Sequence, residues 1–592
     1  MRNASSALPA AYVLLDTETT PTQVGEGTVE HRLRLGVALY VQVAGTKRVA
    51  KDQRLHFTRP DDVWAWVERK VVTGRRLVLV AHNAGFDLQV LGGPDALAAR
   101  GWRIRKAVID DGRLILLAEK GGGSLLVLDF GNYFPVPLDQ IGELLGIDKL
   151  PLPAEDAPDA EWWRRCDVDV DILRLAFERW LALVRDHDLG HFAETLPKQA
   201  MNGYRHRFMG ERTIVAGELR AAELERASYY GGRVEAFRVG QLTDGPWHKL
   251  DAHSFYGAVM HDELFPTKLR WRVVGMRREG LAAALDKYLL ISRVRIETDE
   301  PLYPVRVDGR LVFPVGQFRT TLCTPELRMA FERGHLRAVG DTAIYDRAPL
   351  FTDWVDAIYG IRQSAWAQGD RFTAELAKRL LTSLFGRFGM RVSRWEHAGD
   401  EPGGIDEVYK VWNADAHAQM TFRRLGGRLE RKTQEQQSDQ AMVAIPAHVT
   451  SYGRVRLARW IETAGRDHVA YTGVDSLIVD DQGLFSLAAD VDPVALGKLG
   501  LEGSSDDVFV GGPNMYRFGA LARHKGVRGD AEPTDVPKVE QDEWVSFRRS
   551  LDLGHDGGPL VRTIERTVSD GTIAGPVTPA GAVLPLRLGL EG

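Results

Sequence analysis

The chain has 592 residues, 44% hydrophobic and 27% charged, with a net charge of −5. This is a globular composition that excludes a disordered or fibrous protein and, at roughly 150 residues per domain, makes about four folding units. Two cysteines, Cys166 and Cys323, exclude a disulfide framework and a zinc-ligand pattern and point to a reducing compartment. No apolar run reaches the ~18 residues of a membrane span, and Asp16 interrupts the first apolar run too early for a secretory leader, so a soluble intracellular protein without a membrane partner is expected.

In chain order, AYVLLDTE, RLRLGVALYVQVA, RLVLVAHN and SLLVLDF are apolar runs of strand length, alternating with helical patterns at 61–72 and 138–145. That alternation predicts an α/β unit. Residues 160–184 predict a long helix, with Trp163, Val170, Leu173, Phe177 and Leu181 at helical spacing. Residues 202–238 are rich in Arg and Tyr. A strand running into a turn is expected at 246–260, and strands at 290–298 and 302–313. Helical periodicity over 356–384 breaks near Gly369. The polar stretch 391–440 predicts a hairpin insertion. Residues 446–464 predict a helix with Pro in its first turn, and HVAYTGVDSLIVDD a two-stranded hairpin. The tail from Gly571 is expected to be loose. The negative net charge disfavours a nucleic-acid binder, but the basic residues are clustered. Lys378, Arg379, Arg387, Arg391 and Arg394 share one run free of acids. Arg423, Arg424, Arg428, Arg431 and Lys432 share another with Glu430 as its one acid.

Asp16 and Glu18 end an apolar strand at i and i+2, which places both carboxylates on one face. Such a pair suits a hard divalent cation, although a solvated strand end gives the same pattern. His82-Asn83-Ala84-Gly85-Phe86-Asp87 follows a second apolar strand, and Asp167, Asp169 and Asp171 crowd one helix. In this order, D-x-E, H-N-x-x-F-D and a helical Asp resemble the three exonuclease motifs of DEDD-type 3′→5′ exonucleases, as carried by family B DNA polymerases. The resemblance implies that Asp16, Glu18, Asp87 and Asp169 hold two metal ions. It also implies that Asn83 and Phe86 contact a single-stranded 3′ end and that Leu138 occupies an apolar position of the strand-binding motif. Arg165 stands where the family has Tyr, four residues before the last Asp. Trp163 with Asp167 is the alternative register, and Asp169 is preferred because Val170, Ile172 and Leu173 fit the family helix.

Three further segments follow. Lys249-Leu250-Asp251-Ala252-His253-Ser254-Phe255-Tyr256 resembles motif A of the family B polymerases. Lys378 to Gly386 resembles motif B, and Tyr471-Thr472-Gly473-Val474-Asp475-Ser476 motif C. Tyr229-Tyr230-Gly231-Gly232 matches the Y-x-G-G signature between the exonuclease and polymerase modules. The resemblance implies that Asp251 and Asp475, with the carbonyl of Ala252, hold two Mg²⁺ or Mn²⁺ ions. Lys378 and Arg362 would bind the triphosphate, with Ser254, Thr382 and Phe385 around the nucleotide. Tyr256 would lie under the sugar and exclude a 2′-hydroxyl. Tyr229, Gly231, Gly232, Arg233, Ser476, Tyr516 and Lys525 would contact DNA. Departures are Gly473 for the first acid of motif C, Thr382 for Asn, Phe385 for Tyr and Gly257 for Pro. The K-x-Y element appears as Asn514-Met515-Tyr516 and lacks its Lys.

The implied fold is multidomain, α/β and α+β: an RNase H-like exonuclease domain, then a right-hand polymerase. Its expected parts are the exonuclease domain at 1–190, palm at 191–265 and 441–520, fingers at 351–390, and thumb and tail at 521–592. Insertions are expected at 266–350 and 391–440. That layout looks like the protein-primed branch of phages and linear plasmids, whose insertions contact a priming protein and wrap the template. A primer-independent relative fits the same residues. The implied activity is DNA-templated DNA synthesis from dNTPs on a primer–template, with a 3′→5′ exonuclease weakened by Arg165. The alternatives are a nuclease with a degenerate polymerase half and a non-catalytic DNA-binding replication component.

Overall fold

The structure is a computed structural model that describes residues 5–44, 47–48, 52–110, 112–210, 214–215, 219–415, 417–438, 440–523, 538–567 and 573–589. Strand Ala11–Gly25 pairs antiparallel with Thr28–Ala44 and parallel with Arg76–Ala81, which runs parallel to Gly123–Asp129. The antiparallel strands Arg113–Lys120 and Arg103–Asp110 complete that side of the sheet. Tyr12 and Leu14 pack toward Phe177 and Trp180 of helix Asp159–Asp186, whereas Val13 and Leu15 pack toward Trp64 and Val67 of helix Pro60–Glu68. Both faces of the sheet are covered, which is why its strands read as continuous apolar runs rather than alternating ones.

A second sheet, antiparallel throughout, has the spatial order Leu499–Ser505, Trp247–Ala252, Ser476–Asp480, Val469–Gly473, Val234–Ala236. Helices Phe255–Asp262 and Ala444–Ala464 cover one face through Phe255, Leu457, Trp460 and Ile461. The periodic stretch broken at Gly369 forms two helices, Thr352–Ala367 and Arg371–Phe388. Gly369 adopts φ 73°, and the Asp370 carboxylate accepts from the Thr373 amide at 3.1 Å, so a left-handed stop and an N-cap meet there.

Four antiparallel strands, Phe265–Val273, Leu336–Ala348, Leu289–Thr298 and Val315–Cys323, form a sheet in the segment expected as the first insertion. The strand expected at 302–313 is instead a ribbon of Val305–Val307 and Arg310–Val312. Asp308 and Gly309 both have positive φ, the geometry of a two-residue hairpin turn. The segment expected as the second insertion contains a four-stranded sheet. Its basic run is partly internal: Arg423 is 1% exposed, lies opposite Glu430 in the register, and donates to that carboxylate and to the Ala107 carbonyl. A cross-strand acid therefore takes Arg423 inside, where it docks the insertion on the N-terminal unit.

The segment expected as thumb and tail divides among several sheets. Lys538–Trp544 and Leu560–Thr567 extend the N-terminal sheet beyond Thr28–Ala44, and Arg587–Leu588 joins the edge of the first insertion. Residues 573–589 are thus held by sheet pairing and by the bridge between Arg238 and Ala582, contrary to the loose tail expected. Among the described residues no helix is long and apolar enough to cross a membrane.

Candidate active sites

Asp16 and Glu18 lie near the point where Ala11–Gly25 leaves its parallel partner, and a bulge follows Glu18. Asp87 comes from the short helix after Arg76–Ala81 and accepts from the Thr17 hydroxyl at 2.8 Å. Asn83 starts that helix at φ 63°, and its turn is fixed by Asp129, whose carboxylate accepts from the amides of Asn83, Ala84 and Gly131 at 3.1, 3.1 and 2.7 Å. Asp169 reaches the same place from the long helix and is 2% exposed. Asp167 and Asp171 point elsewhere: Arg54 donates to them at 2.6 and 2.7 Å, and Asp167 also faces His56. Of the two registers, geometry gathers Asp169 with Asp16 and Glu18.

Burial and mutual repulsion push these carboxyls up. Asp87 rises to about 7 through burial, and Asp16 rises well above the carboxylate range through burial and then the charges of Asp169, Asp87 and Glu18. Two cations stand among them. Arg165 pairs with Glu18 and lies 3.8 Å from Asp169, while Lys149 sits 3.0 Å from Asp169. The Arg165–Asp169 contact is therefore the secondary one. The Cys166 thiol is 3.3 Å from the Asp16 carboxylate, and Asp16, Glu18 and Cys166 present donor atoms within 4.8 Å of one another. The second Asp169 oxygen is buried without a hydrogen bond, a vacancy of the kind a cation fills.

The second constellation forms where Trp247–Ala252 lies beside the hairpin of Val469–Gly473 and Ser476–Asp480. Asp251 faces Ser476 in the register, and the Ala252 amide donates to the Asp475 carbonyl at 2.9 Å. Val474 holds the tight turn at φ 66°, and its amide donates to the Arg233 carbonyl at 2.8 Å. Asp475 is pushed up to about 6 by burial and by Asp251; Asp251 is raised by burial and by Glu502. A cavity of about 350 Å³ is lined by Asp251, Ala252, Ser254, Arg362, Lys378 and Glu502, among others. Arg362 donates to the Ser254 hydroxyl at 2.7 Å, and Lys378 lies exposed one helical turn before Thr382. Tyr256 packs on Phe385 with ring centroids 5.2 Å apart. A Cβ at position 232 would come within 2.9 Å of the Tyr256 hydroxyl and 2.7 Å of Val474, so only glycine fits between them. Gly257 stands in the family's Pro position, where a Cβ would meet the Leu381 side chain at 2.8 Å.

The remaining expected contacts divide. Asn83 is exposed and Phe86 half-buried, edge-on to Trp544 with centroids 5.2 Å apart. Leu138 is 6% exposed and belongs to the core. Gly231 adopts φ 90°, and Tyr229 lies beside Gly389. Tyr516 packs on Tyr471 at 4.9 Å, and the Ser476 hydroxyl donates back to the Gly473 carbonyl at 3.2 Å. Arg233 is corrected: it is 2% exposed, pairs with Glu235 and lies over Phe313 at 4.2 Å, out of reach of a phosphate. Lys525 lies outside the described residues. Sequence reasoning missed Lys149, Asp129, Glu502 and His253. Glu502 is the extra residue of a bulge opposite Lys249 and Leu250, which aims it beside Asp251 and into an ion pair with Lys249. His253 lines the same cavity, its Nε2 buried and without a hydrogen bond.

This architecture defines a fold class first: a layered α/β unit joined to an antiparallel five-stranded sheet covered by helices. Residues 188–413 match the family model described as DNA polymerase type B, organellar and viral. A probable DNA polymerase of Agaricus bitorquis is 24% identical over 306 residues, covering 47% of this chain and 36% of that protein. The DNA-directed DNA polymerase of Enterobacteria phage PRD1 is 24% identical over 307 residues, covering 50% of each. The chain spans half or less of the length of these curated relatives. The phi29 DNA polymerase, orthorhombic crystal form, superposes with a TM-score of 0.68 at 15% identity, over 95% of this chain and 100% of that one. The same enzyme complexed with primer-template DNA and incoming nucleotide substrates gives 0.66 at 15% identity. The match to the organellar and viral type B DNA polymerases covers residues 188–413, and the fold shared with phi29 DNA polymerase extends over 95% of the chain.

Proposed function

We propose that the chain is a DNA-templated DNA polymerase, adding dNTPs to a primer 3′ hydroxyl, with a weak 3′→5′ exonuclease in its N-terminal domain. The observation that carries this reading is Asp251 in one cavity with Lys378 and Arg362, beside the hairpin turn that carries Asp475, whose carbonyl accepts from the Ala252 amide at 2.9 Å. The carboxylates fit divalent cations: both are desolvated, and the neighbouring negative charges of Glu502 on Asp251 and of Asp251 on Asp475 raise them further. Asp251, Asp475 and the Ala252 carbonyl would hold two Mg²⁺ or Mn²⁺ ions, as would Asp16, Glu18, Asp87 and Asp169 in the other site. When bound, such ions supply Lewis-acid stabilisation of the attacking and leaving oxygens of an in-line phosphoryl displacement.

The protein's own groups do the rest. Lys378 and Arg362 take the triphosphate oxygens as charge-assisted donors, and the Ser254 hydroxyl fixes the Arg362 guanidinium. Tyr256, held rigid by Gly232, Phe385 and Phe255, forms the floor under the sugar. The complexes recorded for phi29 DNA polymerase with primer-template DNA and nucleotides support the same partners here. Two insertions beyond the palm and fingers support a protein-primed mode, with 266–350 as the contact for a priming protein. A nuclease with a dead polymerase half is disfavoured, because cations pair directly with the carboxylates of the exonuclease-type site, Lys149 with Asp169 and Arg165 with Glu18, whereas Asp251 and Asp475 form no such ion pair among the described residues. A labelled primer–template incubated with Mg²⁺, with and without dNTPs, tests the reading: the primer lengthens with dNTPs, and shortening alone or no change refutes it.

Tyr256→Ala is expected to raise ribonucleotide use relative to deoxyribonucleotide by about 10-fold or more, the scale on which loss of a steric wall relaxes selection. The ratio of kcat/KM for rNTP and dNTP on one template measures it, and an unchanged ratio returns Tyr256 to a purely structural role. A pH effect also follows. Asp87 and Asp475 have folded values of about 7 and 6, above the ordinary carboxylate range, so the folded state retains protons that the unfolded chain releases. Their stabilising contribution is complete below about pH 4 and is lost as pH rises through 6 to 7. In chelator the Tm is expected to fall between pH 5 and 8, less steeply in Asp87→Asn, and Mg²⁺ is expected to raise it more at pH 8 than at pH 5. Thermal scans of both proteins check this, and equal slopes would show that Asp87 carries no such proton.

A further inference from the structure

The N-terminal carboxylate cluster holds a fifth donor of a different kind. Cys166 lies on helix Asp159–Asp186 three residues before Asp169, so both side chains leave the same helical face. Its thiol is 3.3 Å from the Asp16 carboxylate and 3.4 Å from the Asp16 carbonyl, contacts between residues 150 positions apart. Donor atoms of Asp16, Glu18 and Cys166 all lie within 4.8 Å of one another, the one such group of three among the described residues. Asp169 acts electrostatically on both Asp16 and Cys166. It is 2% exposed, yet one of its carboxylate oxygens is buried without a hydrogen bond. The other cysteine, Cys323, is buried at the start of helix Thr324–Glu332, away from this cluster. No sequence spacing announces the group, because its donors come from a strand and a helix.

The structure assigns Cys166, on our reading, as a sulfur ligand that makes this cluster a closed site for a thiophilic divalent ion, Zn²⁺, and so an off state of the N-terminal domain. The inference rests on reading the cluster as a divalent-metal centre and goes beyond it in both ligand and ion. Tetrahedral bonds of about 2.3 Å to sulfur and ~2.0 Å to oxygen place those two donors about 3.5 Å apart. Cys166 Sγ and the Asp16 carboxylate stand 3.3 Å apart, close to that edge. Selectivity follows from the cations already present. Arg165 pairs with Glu18 and Lys149 with Asp169, so a hard ion such as Mg²⁺ displaces them on charge alone. Zn²⁺ gains a coordinate bond to sulfur that neither a guanidinium nor an ammonium can form. The metal–sulfur bond replaces the thiol proton, which leaves to solvent. With Asp16, Glu18 and Asp169 the thiolate supplies four protein ligands, the set of a site that keeps no open position for an attacking water.

The test titrates the metal-free full chain with Co²⁺, Zn²⁺ and Mn²⁺. Bound Co²⁺ gives a sulfur-to-metal absorption band only where a thiolate is a ligand, and Zn²⁺ should compete it away. Wild type and Cys323→Ser are expected to show the band, and Cys166→Ser to lose it. Cys166→Ser should weaken Zn²⁺ binding, read against a chromophoric chelator, by about 10²-fold or more, beyond the loss of an outer partner. Its affinity for Mn²⁺ should change by less than about 3-fold, because that ion prefers oxygen. Asp16→Asn, which leaves the thiol in place, should also weaken Zn²⁺ and the band, so the proposal stays exposed if serine at 166 disturbs the fold. No band in wild type, a band that survives Cys166→Ser, or wild-type Zn²⁺ affinity in Asp16→Asn would overturn it. Equal losses of Zn²⁺ and Mn²⁺ affinity in Cys166→Ser would make the thiol structural and overturn it too. Single-strand 3′ digestion in Mn²⁺, run alongside, separates the two readings. The band without digestion refutes the exonuclease and leaves the sulfur site; digestion without the band refutes the sulfur site and leaves the exonuclease. Zn²⁺ should stop wild-type digestion at a concentration about 10²-fold below that needed for Cys166→Ser, and equal inhibition would overturn the off state.

Discussion

Asp475→Asn is expected to lower primer extension by about 10³-fold or more, the upper range for loss of one group that stabilises transition-state charge, or about 4 kcal/mol of barrier. The substitution keeps the shape of the turn, since the bonds that fix it are made by backbone groups: the Ala252 amide to the Asp475 carbonyl and the Asp475 amide to the Gly473 carbonyl. What it removes is the one carboxylate that the hairpin offers beside Asp251, because Gly473 occupies the other acidic position of the motif. Affinity for the primer–template should stay within about 3-fold, because binding comes from dispersed Lys and Arg contacts to phosphate. Single-turnover extension with prebound DNA, beside an anisotropy titration, measures both. Extension above a tenth of wild type would remove Asp475 from the reaction. Its sequence neighbours offer no substitute: Asp480 caps the following helix and faces His468 at 2.8 Å, and Asp481 faces His248 at 2.7 Å.

What the sequence discloses and what it withholds divide along a physical line. Asp16 with Glu18, Asp87 after a strand, Asp251 at a strand end and Asp475 in a hairpin turn are legible because each is a local pattern: a burial run followed by a charged residue where the chain leaves the sheet. The layered α/β unit is legible for the same reason, since strands covered on both faces read as unbroken apolar runs. The groups that modify these sites have no local pattern. Lys149 lies in a loop with ordinary surroundings, yet it reaches Asp169, while Arg165 pairs with Glu18. Glu502 enters its site through a one-residue bulge, and a slip of one residue reverses the direction of a side chain. Arg423 and Arg233 look like surface cations until Glu430 and Glu235 close on them across strands or along one. The fate of a charge depends on partners far away in sequence, so charge clusters are the weakest evidence that a single sequence offers.

Arg165→Tyr is expected to raise 3′→5′ digestion of single-stranded DNA by about 10²-fold, the cost attached to a nucleophile displaced by about 1 Å. In the wild type the Arg165 guanidinium is paired with Glu18, is 3.8 Å from Asp169, and is 13% exposed. A buried cation on two of the four carboxylates competes directly with a divalent ion for the same oxygens. Lys149, 3.0 Å from Asp169, leaves one Asp169 oxygen without a hydrogen bond, so one of the competing charges can go while the other still offsets the acids. Tyrosine at 165 removes the competitor and offers a hydroxyl at the position from which the family orients the attacking water. Arg165→Leu separates the two effects: it should restore Mg²⁺ affinity, read by the metal-induced rise in Tm, without restoring full digestion. Asp169→Ala in the Arg165→Tyr background should abolish the gain, whereas Asp167→Ala should not, because Asp167 is held by Arg54 and His56 on another face of the helix. A gain that survives Asp169→Ala, or one that is lost with Asp167→Ala, would place the fourth carboxylate in the other register. No gain in Arg165→Tyr together with an unchanged response to Mg²⁺ would mean that the guanidinium is not what holds this site back.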